Sequence, residues 1–356
     1  MAQQLHLSVA DQSPVRQGGT AAQALRETVA LAEAVEKFGY ERFWVAEHHN
    51  LPGFAGTSPE IVVGQIAART QHIRVGSGGV MLSHYSALKV AEIFRVLESF
   101  YPGRIDLGLG RAPGSDQRTA VALSYPGQPR DIRYYPEQVD DLRAYLADDL
   151  PPDHRFADVH AGPTAGTTPE VWLLGSGIDS ALIAAERSLP FSYAYFFGMG
   201  VQHGPAIVES YRRHFRPSES LAEPKVNVTV QALCAETEEE AHYLSASRNL
   251  VRLNIIRGRR QGGSTPEEAH AYPYSADELA YLEQYRRANV DGDPQQVKEQ
   301  LEHLAEVFQT TDLGVVTICY DFSKRVRSYE LIAEACGLPA PGSQRVETPA
   351  ASPGGG

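Results

Sequence analysis

The chain has 356 residues, 42% of them hydrophobic and 21% charged, so it can bury a large core and is not a disordered polymer. Its 32 Lys and Arg stand against 44 Asp and Glu, a formal charge of -12, which excludes nucleic acid as the main partner because phosphate binding needs a basic surface. The start Met1-Ala-Gln-Gln-Leu-His has no basic segment leading into an apolar one, and no run of about 18 apolar residues could cross a bilayer, so a soluble cytoplasmic protein with no membrane partner is expected.

Apolar runs alternate with amphipathic stretches along the chain. Leu5–Val9 reads as a strand. It leads into a helix from Ala21 to Phe38, with Thr20 and Gln23 as a capping box and Gly39 as the stop. Phe43–Ala46 is a second strand, followed by a helix opened by Ser58 and Pro59 and closing near Arg69. A third strand runs from Ile73 to Val75 and on toward Val80 and Met81, and Ala87–Phe100 is the next helix. Further strands are read at Ile105–Leu109, Val171–Leu174, Phe191–Phe196, Val226–Leu233 and Val315–Cys319, the last four followed by helices.

Eight strands, each followed sooner or later by a helix, predict parallel strands joined by right-handed crossovers. At this length the pattern points to an α/β fold, a TIM (β/α)8 barrel, more than to an open sheet. Two segments exceed simple connections: 112–170 after strand four, with a helix at Pro136–Leu146, and 257–293 after strand seven, with the basic Arg257-Gly-Arg-Arg. Long insertions at these places read as lids or substrate walls. Residues 1–338 read as one barrel domain and 339–356 as a disordered tail.

Barrel chemistry sits at the C-terminal ends of the strands. Just past them stand Asp11-Gln12, Glu47-His48-His49, Gly78-Gly79, Gly110-Arg111, Gly175-Ser-Gly177, Phe197-Gly198 and Tyr320-Asp321. Neighbouring strand residues point to opposite sides, so Glu47, His48 and His49 cannot easily chelate one metal. Two readings of them stand: a carboxylate and an imidazole facing a site as an acid/base pair, or rim residues bonding loop backbone. The glycines of Val75-Gly-Ser-Gly-Gly-Val80 mark either a bulge or the close approach of a flat ligand. Gly-Ser-Gly-Ile-Asp-Ser180 before a helix can cradle an anion, and Arg111 on the adjacent strand can add a guanidinium. No P-loop, GxGxxG or GxSxG element occurs. Tyr193, Tyr195 and Phe197 alternate as if to wall an apolar pocket. The three cysteines, Cys234, Cys319 and Cys336, form no CxxC pair, so neither disulfides nor a metal site is expected and a reducing compartment fits.

Taken in order, Ala10-Asp-Gln-Ser-Pro14, Gly39-Tyr-Glu-Arg-Phe-Trp-Val-Ala-Glu-His-His49, Ile73-Arg-Val-Gly-Ser-Gly-Gly-Val-Met-Leu82 and Pro102-Gly-Arg-Ile-Asp-Leu-Gly-Leu-Gly-Arg-Ala-Pro-Gly114 carry a resemblance. Trp172-Leu-Leu-Gly-Ser-Gly177 and Arg327-Ser-Tyr-Glu-Leu-Ile-Ala333 extend it over most of residues 5–338. The chain resembles the bacterial luciferase-like flavin-dependent monooxygenases, and most of all a single-chain subgroup found in antibiotic biosynthesis.

The resemblance implies reduced FMN supplied by a separate flavin reductase, O2 adding at flavin C4a, and hydroxylation or epoxidation of a small, aromatic polyketide-like substrate. His48 matches the catalytic histidine and Glu47 a carboxylate lining the flavin site. Gly78 and Gly79 match a bulged strand, often with a non-proline cis peptide, beside the flavin ring. Arg111, Ser176, Gly177 and Ser180 match phosphate-binding positions, and a homodimer is implied. Gly110 stands where light-emitting members have a reactive cysteine, and Ser176 where they have an acid, so light emission is not implied. The rival readings are hydride transfer with a deazaflavin or FMN, and a non-catalytic flavin-binding accessory protein.

Overall fold

A computed structural model describes residues 4–111, 116–164, 166–198, 201–259 and 261–341 of the protein. Among them nine strands form: β1 (His6–Asp11), β2 (Arg42–Val45), β3 (Arg74–Met81), β4 (Ile105–Gly110), β5 (Glu170–Gly175), β6 (Phe191–Ala194), β7 (Val226–Cys234), β8 (Val290–Gly292) and β9 (Asp312–Val316). All pairings are parallel, and the order β1-β2-β3-β4-β5-β6-β7-β9 returns to β1. Eight strands therefore close the expected barrel, wrapped by helices such as Ala21–Lys37, Pro59–Ala67 and Ala87–Phe100.

Three strand readings need correction. β9 lies three residues before the expected Val315–Cys319. Its ladder stops because Thr317 turns its N–H to the Tyr329 hydroxyl, 3.0 Å away, and its carbonyl to Arg325 Nε. β6 stops at Ala194, because Tyr195–Phe197 winds into a 3-10 turn closed by Gly198 at φ +75. β8 was not foreseen; its three residues pair with Ala232–Cys234 at the end of β7.

Residues of alternate parity face the two sides of the barrel wall. Leu7, Val9, Phe43, Val45, Val75, Ile105, Leu107, Val228, Val230, Leu313 and Val315 join the helices in one continuous core. The opposite parity fills the lumen with large and charged groups. Trp44 of β2 meets Trp172 of β5 edge to face at 5.3 Å, a contact between non-adjacent strands that can only cross the lumen. Trp44 Nε1 donates to Asp106 Oδ2 at 3.0 Å. Below them, Arg42 reaches Asp312 at 3.3 Å and Asp106 at 3.4 Å, and Lys225 reaches Glu170 at 2.6 Å. Burial alone would raise the Glu170 carboxyl, but Lys225, Arg42 and Arg74 together pull it down to about 2.

The helix starts follow the local sequence. Thr20 accepts from the Gln23 N–H at 3.2 Å, while the Gln23 side chain turns to Glu27, so half of the expected capping box forms. Pro59 opens its helix without a side-chain bond from Ser58. The region between β4 and β5 holds helices Gln117–Ser124 and Tyr135–Ala147. Between β7 and β8 stand helices Glu238–Ile256, Pro266–Ala271 and Ala276–Arg286. The last two open with full capping boxes, Thr265 with Glu268 and Ser275 with Glu278. Residues 112–115 and 260, and the expected tail from 342 onward, lie outside the described residues. No helix among the described residues is long and apolar enough to cross a membrane.

Candidate active site

The ends of β2, β3, β4 and β5 form one arc of the rim. Met81, Gly110 and Leu174 are in register across β3, β4 and β5, and Glu47 Oε2 accepts from the Met81 N–H at 3.1 Å. The structure thus brings Glu47, His48, Gly78, Gly79, Arg111 and the Gly175–Gly177 turn to the same end of the barrel.

Glu47 is buried, and its carboxylate accepts three hydrogen bonds, from the Met81 N–H, the Tyr85 hydroxyl at 2.8 Å and His49 Nε2 at 2.7 Å. The imidazole that pairs with Glu47 is therefore His49, and Tyr85 completes the group with its hydroxyl 3.3 Å from His49 Nε2. Burial, with the Glu47 charge beside it, raises the Tyr85 phenol, which stays protonated and donating.

His48 points elsewhere. Its N–H holds the loop by donating to Gly56 O at 2.7 Å, and its ring stacks on Phe54 with centroids 4.9 Å apart. Its Nδ1 is buried without a partner. Burial pushes the imidazole down to about 4, outweighing the nearby Glu47 charge, so the ring is neutral near pH 7.

β3 carries a register shift between Ser77 and Val80, and the Gly78–Gly79 peptide is cis. A Cβ on Gly79 would lie 2.6 Å from Gly108 O, and one on Gly108 would lie 2.1 Å from Ser77 O. The two strands touch backbone to backbone here, which is why side chains are missing. The outcome is a flat patch of wall above Trp44, whose Cβ would be 3.0 Å from a Cβ on Gly78. The bulge reading of this segment holds, and the close packing of β3 on β4 accounts for its glycines.

At the far end of the arc, Gly177 caps the helix Ile178–Glu186 with extended backbone. Ala181 is the first residue whose N–H bonds back, to Gly177 O at 3.5 Å, so the N–H groups of residues 178–180 project from the helix start. Ser176 is exposed on the turn. Ser180 is buried, its Oγ 2.6 Å from where a Gly175 Cβ would stand, so its hydroxyl lies under the turn. Arg111 is brought to this helix start, with Nη1 2.9 Å from Asp179 Oδ2.

These features suit a flavin mononucleotide: a bare wall for the ring, an unpartnered imidazole nitrogen at the same end of the barrel, and an amide-rich turn with a guanidinium for the phosphate. The span of three strand spacings from β2 to β5, about 4.8 Å each, is roughly 14 Å, enough for a ring and its ribityl phosphate.

Several buried polar residues escaped the sequence reading. Gln231 Oε1, Ser247 Oγ and Asn249 Oδ1 are buried and unpartnered. Gln231 shares lumen parity with Asn227 and Thr229, and that polar alternation inside an apolar-looking strand was the available signal. Asp11 also belongs to the rim, but as an anchor: it takes the Arg325 guanidinium and the Ser13 N–H, tying β1 to the segment after β9. Tyr193 and Tyr195 turn outward against Phe308 at 5.7 and 5.6 Å, and so do not wall the barrel mouth. Among the described residues no group of three or more His, Cys, Asp or Glu is placed to hold a metal ion.

Residues 5–311 match the family model described as luciferase-like monooxygenase. The YwcH protein of Bacillus subtilis is 45% identical over 92% of this chain and 98% of its own length. N-acetyl-S-alkylcysteine monooxygenase of the same organism is 35% identical over 93% and 98%. The crystal structure of apo-MsnO8 superposes with a TM-score of 0.87 at 38% identity, covering 94% of this chain and 99% of that one. More distantly, at 17% and 13% identity, the same fold occurs in solved complexes with FMN and with an F420–acetone adduct. The chain belongs to the luciferase-like monooxygenases.

Proposed function

We propose that this enzyme binds reduced FMN along the β2–β5 arc and uses it with O2 to oxygenate a small organic substrate. The observation that carries the reading is the buried, unpartnered Nδ1 of a neutral His48 on the rim arc that includes the bare Gly78–Gly79 wall. Reduced FMN supplies the electrons that activate oxygen. His48 then acts as a neutral hydrogen-bonding group, because an imidazole held near about 4 is a poor acid at neutral pH. Glu47 orients His49, Tyr85 and the β3 backbone, and acts on the flavin site through them. Arg111, with the turn at Ser176 and Gly177 and the N–H of Ser180, grips the phosphate. The barrel mouth excludes water from the reacting atoms.

The remaining parts of the reading follow the family. A separate reductase delivers the flavin, and residues 1–338 act as one domain. The free thiols, with Cys234 pushed by burial up to about 12 and Cys319 to about 11, suit a reducing cytoplasm. Ile61 and Phe100 are 65% and 72% exposed on the helices after β2 and β3, and support a homodimer through that face. For the substrate, N-acetyl-S-alkylcysteines are the first class to assay, since the relative named for them matches along its whole length. Aromatic polyketide-like compounds are the second.

The test is rapid mixing of the enzyme with reduced FMN and oxygenated buffer. A transient absorbance distinct from both reduced and oxidised FMN is expected, decaying faster in His48→Ala. Absence of any transient, with the two proteins alike, rejects the assignment. Titration with FMN and with a deazaflavin separates this reading from hydride transfer.

A further inference from the structure

The loop that carries His48 is held by two other loops of the barrel mouth. Residues 53–55 run antiparallel to 13–15. The Val15 N–H donates to Gly53 O at 2.9 Å, the Ala55 N–H donates to Ser13 O at 2.9 Å, and Pro14 and Phe54 form a bridge pair. Arg16 in turn pairs parallel with Gly263 of the insertion between β7 and β8. There the Gly263 N–H donates to Val15 O at 2.9 Å and the Gln17 N–H to Gly263 O at 2.8 Å. Backbone from the loops after β1, β2 and β7 thus forms one small sheet, with residues 13–17 in the middle.

The middle segment is fixed to the barrel. Arg16 donates to Glu27 at 2.6 Å and to the Tyr320 carbonyl at 3.3 Å, and the Tyr320 hydroxyl donates to Gln17 O at 3.0 Å. The insertion meets it through backbone groups, and the fit is close. A Cβ on Gly262 would lie 2.8 Å from Val15 O, and one on Gly53 would lie 3.0 Å from Gln261 O. A Cβ on Gly263 would meet nothing nearer than Val251 Cγ2, at 3.7 Å. Of these two neighbouring glycines, the contact requires only Gly262 to be bare.

His48 meets this sheet through Phe54. The two rings stack with centroids 4.9 Å apart. Phe54 also shares a small cavity with Gly263 and with Ser247 and Val251 of the helix Glu238–Ile256, so the insertion walls the space beside it.

We propose that residues 261–263 are a positioning element for His48. The insertion docks on Val15 and Gly53, holds Phe54 against the His48 ring and keeps water from it, and Gly262 is the residue whose missing side chain permits the docking. Because residues 13–17 are anchored elsewhere, it is the insertion that yields when the contact is crowded. The cavity beside Phe54 then opens and the His48 ring gains water. Burial is what now holds that imidazole down, so solvation lets it rise. Glu47 and His49, whose charges act on the ring, lie on its own loop and stay in place. The value of this positioning for oxygenation rests on the role of His48 proposed above, whereas the docking itself does not.

The full chain, free of flavin and labelled at histidine, is titrated by NMR between about pH 8 and pH 5, with His48 assigned as the signal lost in His48→Gln. In the wild type this signal should stay nearly flat. In Gly262→Ala its midpoint should rise by about one pH unit or more, into the range. Gly53→Ala crowds the same contact from the other side and should move the midpoint the same way by less, which keeps the test open if Gly262→Ala does not fold. Gly263→Ala, the same change one residue on, should match the wild type. The proposal is overturned if neither Gly262→Ala nor Gly53→Ala moves the His48 titration, or if Gly263→Ala moves it as far. Rapid mixing of Gly262→Ala with reduced FMN and oxygen separates the two readings: a shifted His48 signal with an unaltered transient upholds the positioning and rejects the flavin role of His48.

Discussion

Arg111 Nη1 stands 2.9 Å from Asp179 Oδ2, so the guanidinium offered to a phosphate is held at the helix start by a carboxylate from that same start. Both side chains are partly exposed, and the pair is worth little in stability. Its effect falls on affinity, because an arriving phosphate must displace or repel Asp179. Asp179→Asn is expected to tighten FMN several-fold and to leave riboflavin, which has no phosphate, unchanged. Arg111→Leu should weaken FMN by about tenfold or more and riboflavin little, consistent with one lost charge-assisted bond pair. Flavin fluorescence titrations read both.

His48 couples the site to pH. Its folded value, about 4, lies below the ordinary 6.5 of an imidazole. The unfolded chain therefore takes up the proton first on acidification, so this contribution to stability is complete above about 6.5 and declines as pH falls toward 4. Urea unfolding at pH 7.5 and pH 5 should show a smaller loss for His48→Gln than for the wild type. Equal losses would mean that the ring is as solvated folded as unfolded.

The bare wall makes a stability prediction with a built-in control. Gly108→Ala puts a Cβ 2.1 Å from a backbone carbonyl that cannot rotate away, so it should cost about 1–3 kcal/mol or more and lower the melting temperature clearly. At Gly177 a Cβ meets nothing within 4 Å and the backbone is extended, so Gly177→Ala should melt like the wild type. If the flavin phosphate sits on this turn, the same variant still binds FMN several-fold more weakly.

Glu47 accepts three donors, which an amide in its place could not. Glu47→Gln is expected to cost about 1–3 kcal/mol, and Tyr85→Phe about 1 kcal/mol, by chemical denaturation. Turnover should fall with the loss of order around β3 and recover partly at lower temperature. A variant that keeps full stability and yet loses turnover would make Glu47 a direct acid or base.

The barrel was legible because its outer strand faces are apolar and β-branched, a signal that local sequence carries without help. The ends were less so. Tyr195 looked like the continuation of β6 until Gly198, at positive φ, showed where the chain winds up. The capping boxes at Thr265 and Ser275 were present in the sequence, but the glycines and arginines before Thr265 and the Tyr272-Pro-Tyr before Ser275 masked the two helices. Glu47, His48 and Arg111 stood out in the sequence because two strands, β2 and β4, end in unusual polar residues. Which imidazole pairs with Glu47 was not legible, since His48 and His49 differ only in direction. Asp179 looked like an ordinary first-turn acid until Arg111, 68 positions earlier, was seen to reach it.

The edge-to-face tryptophans and the ion network beneath them have one more consequence. They stopper the barrel from below, so it is a vessel with a single neck. On the proposed reading, flavin, oxygen, substrate and product all share that doorway, and the order in which they arrive and leave is imposed by the vessel's shape before any chemistry begins.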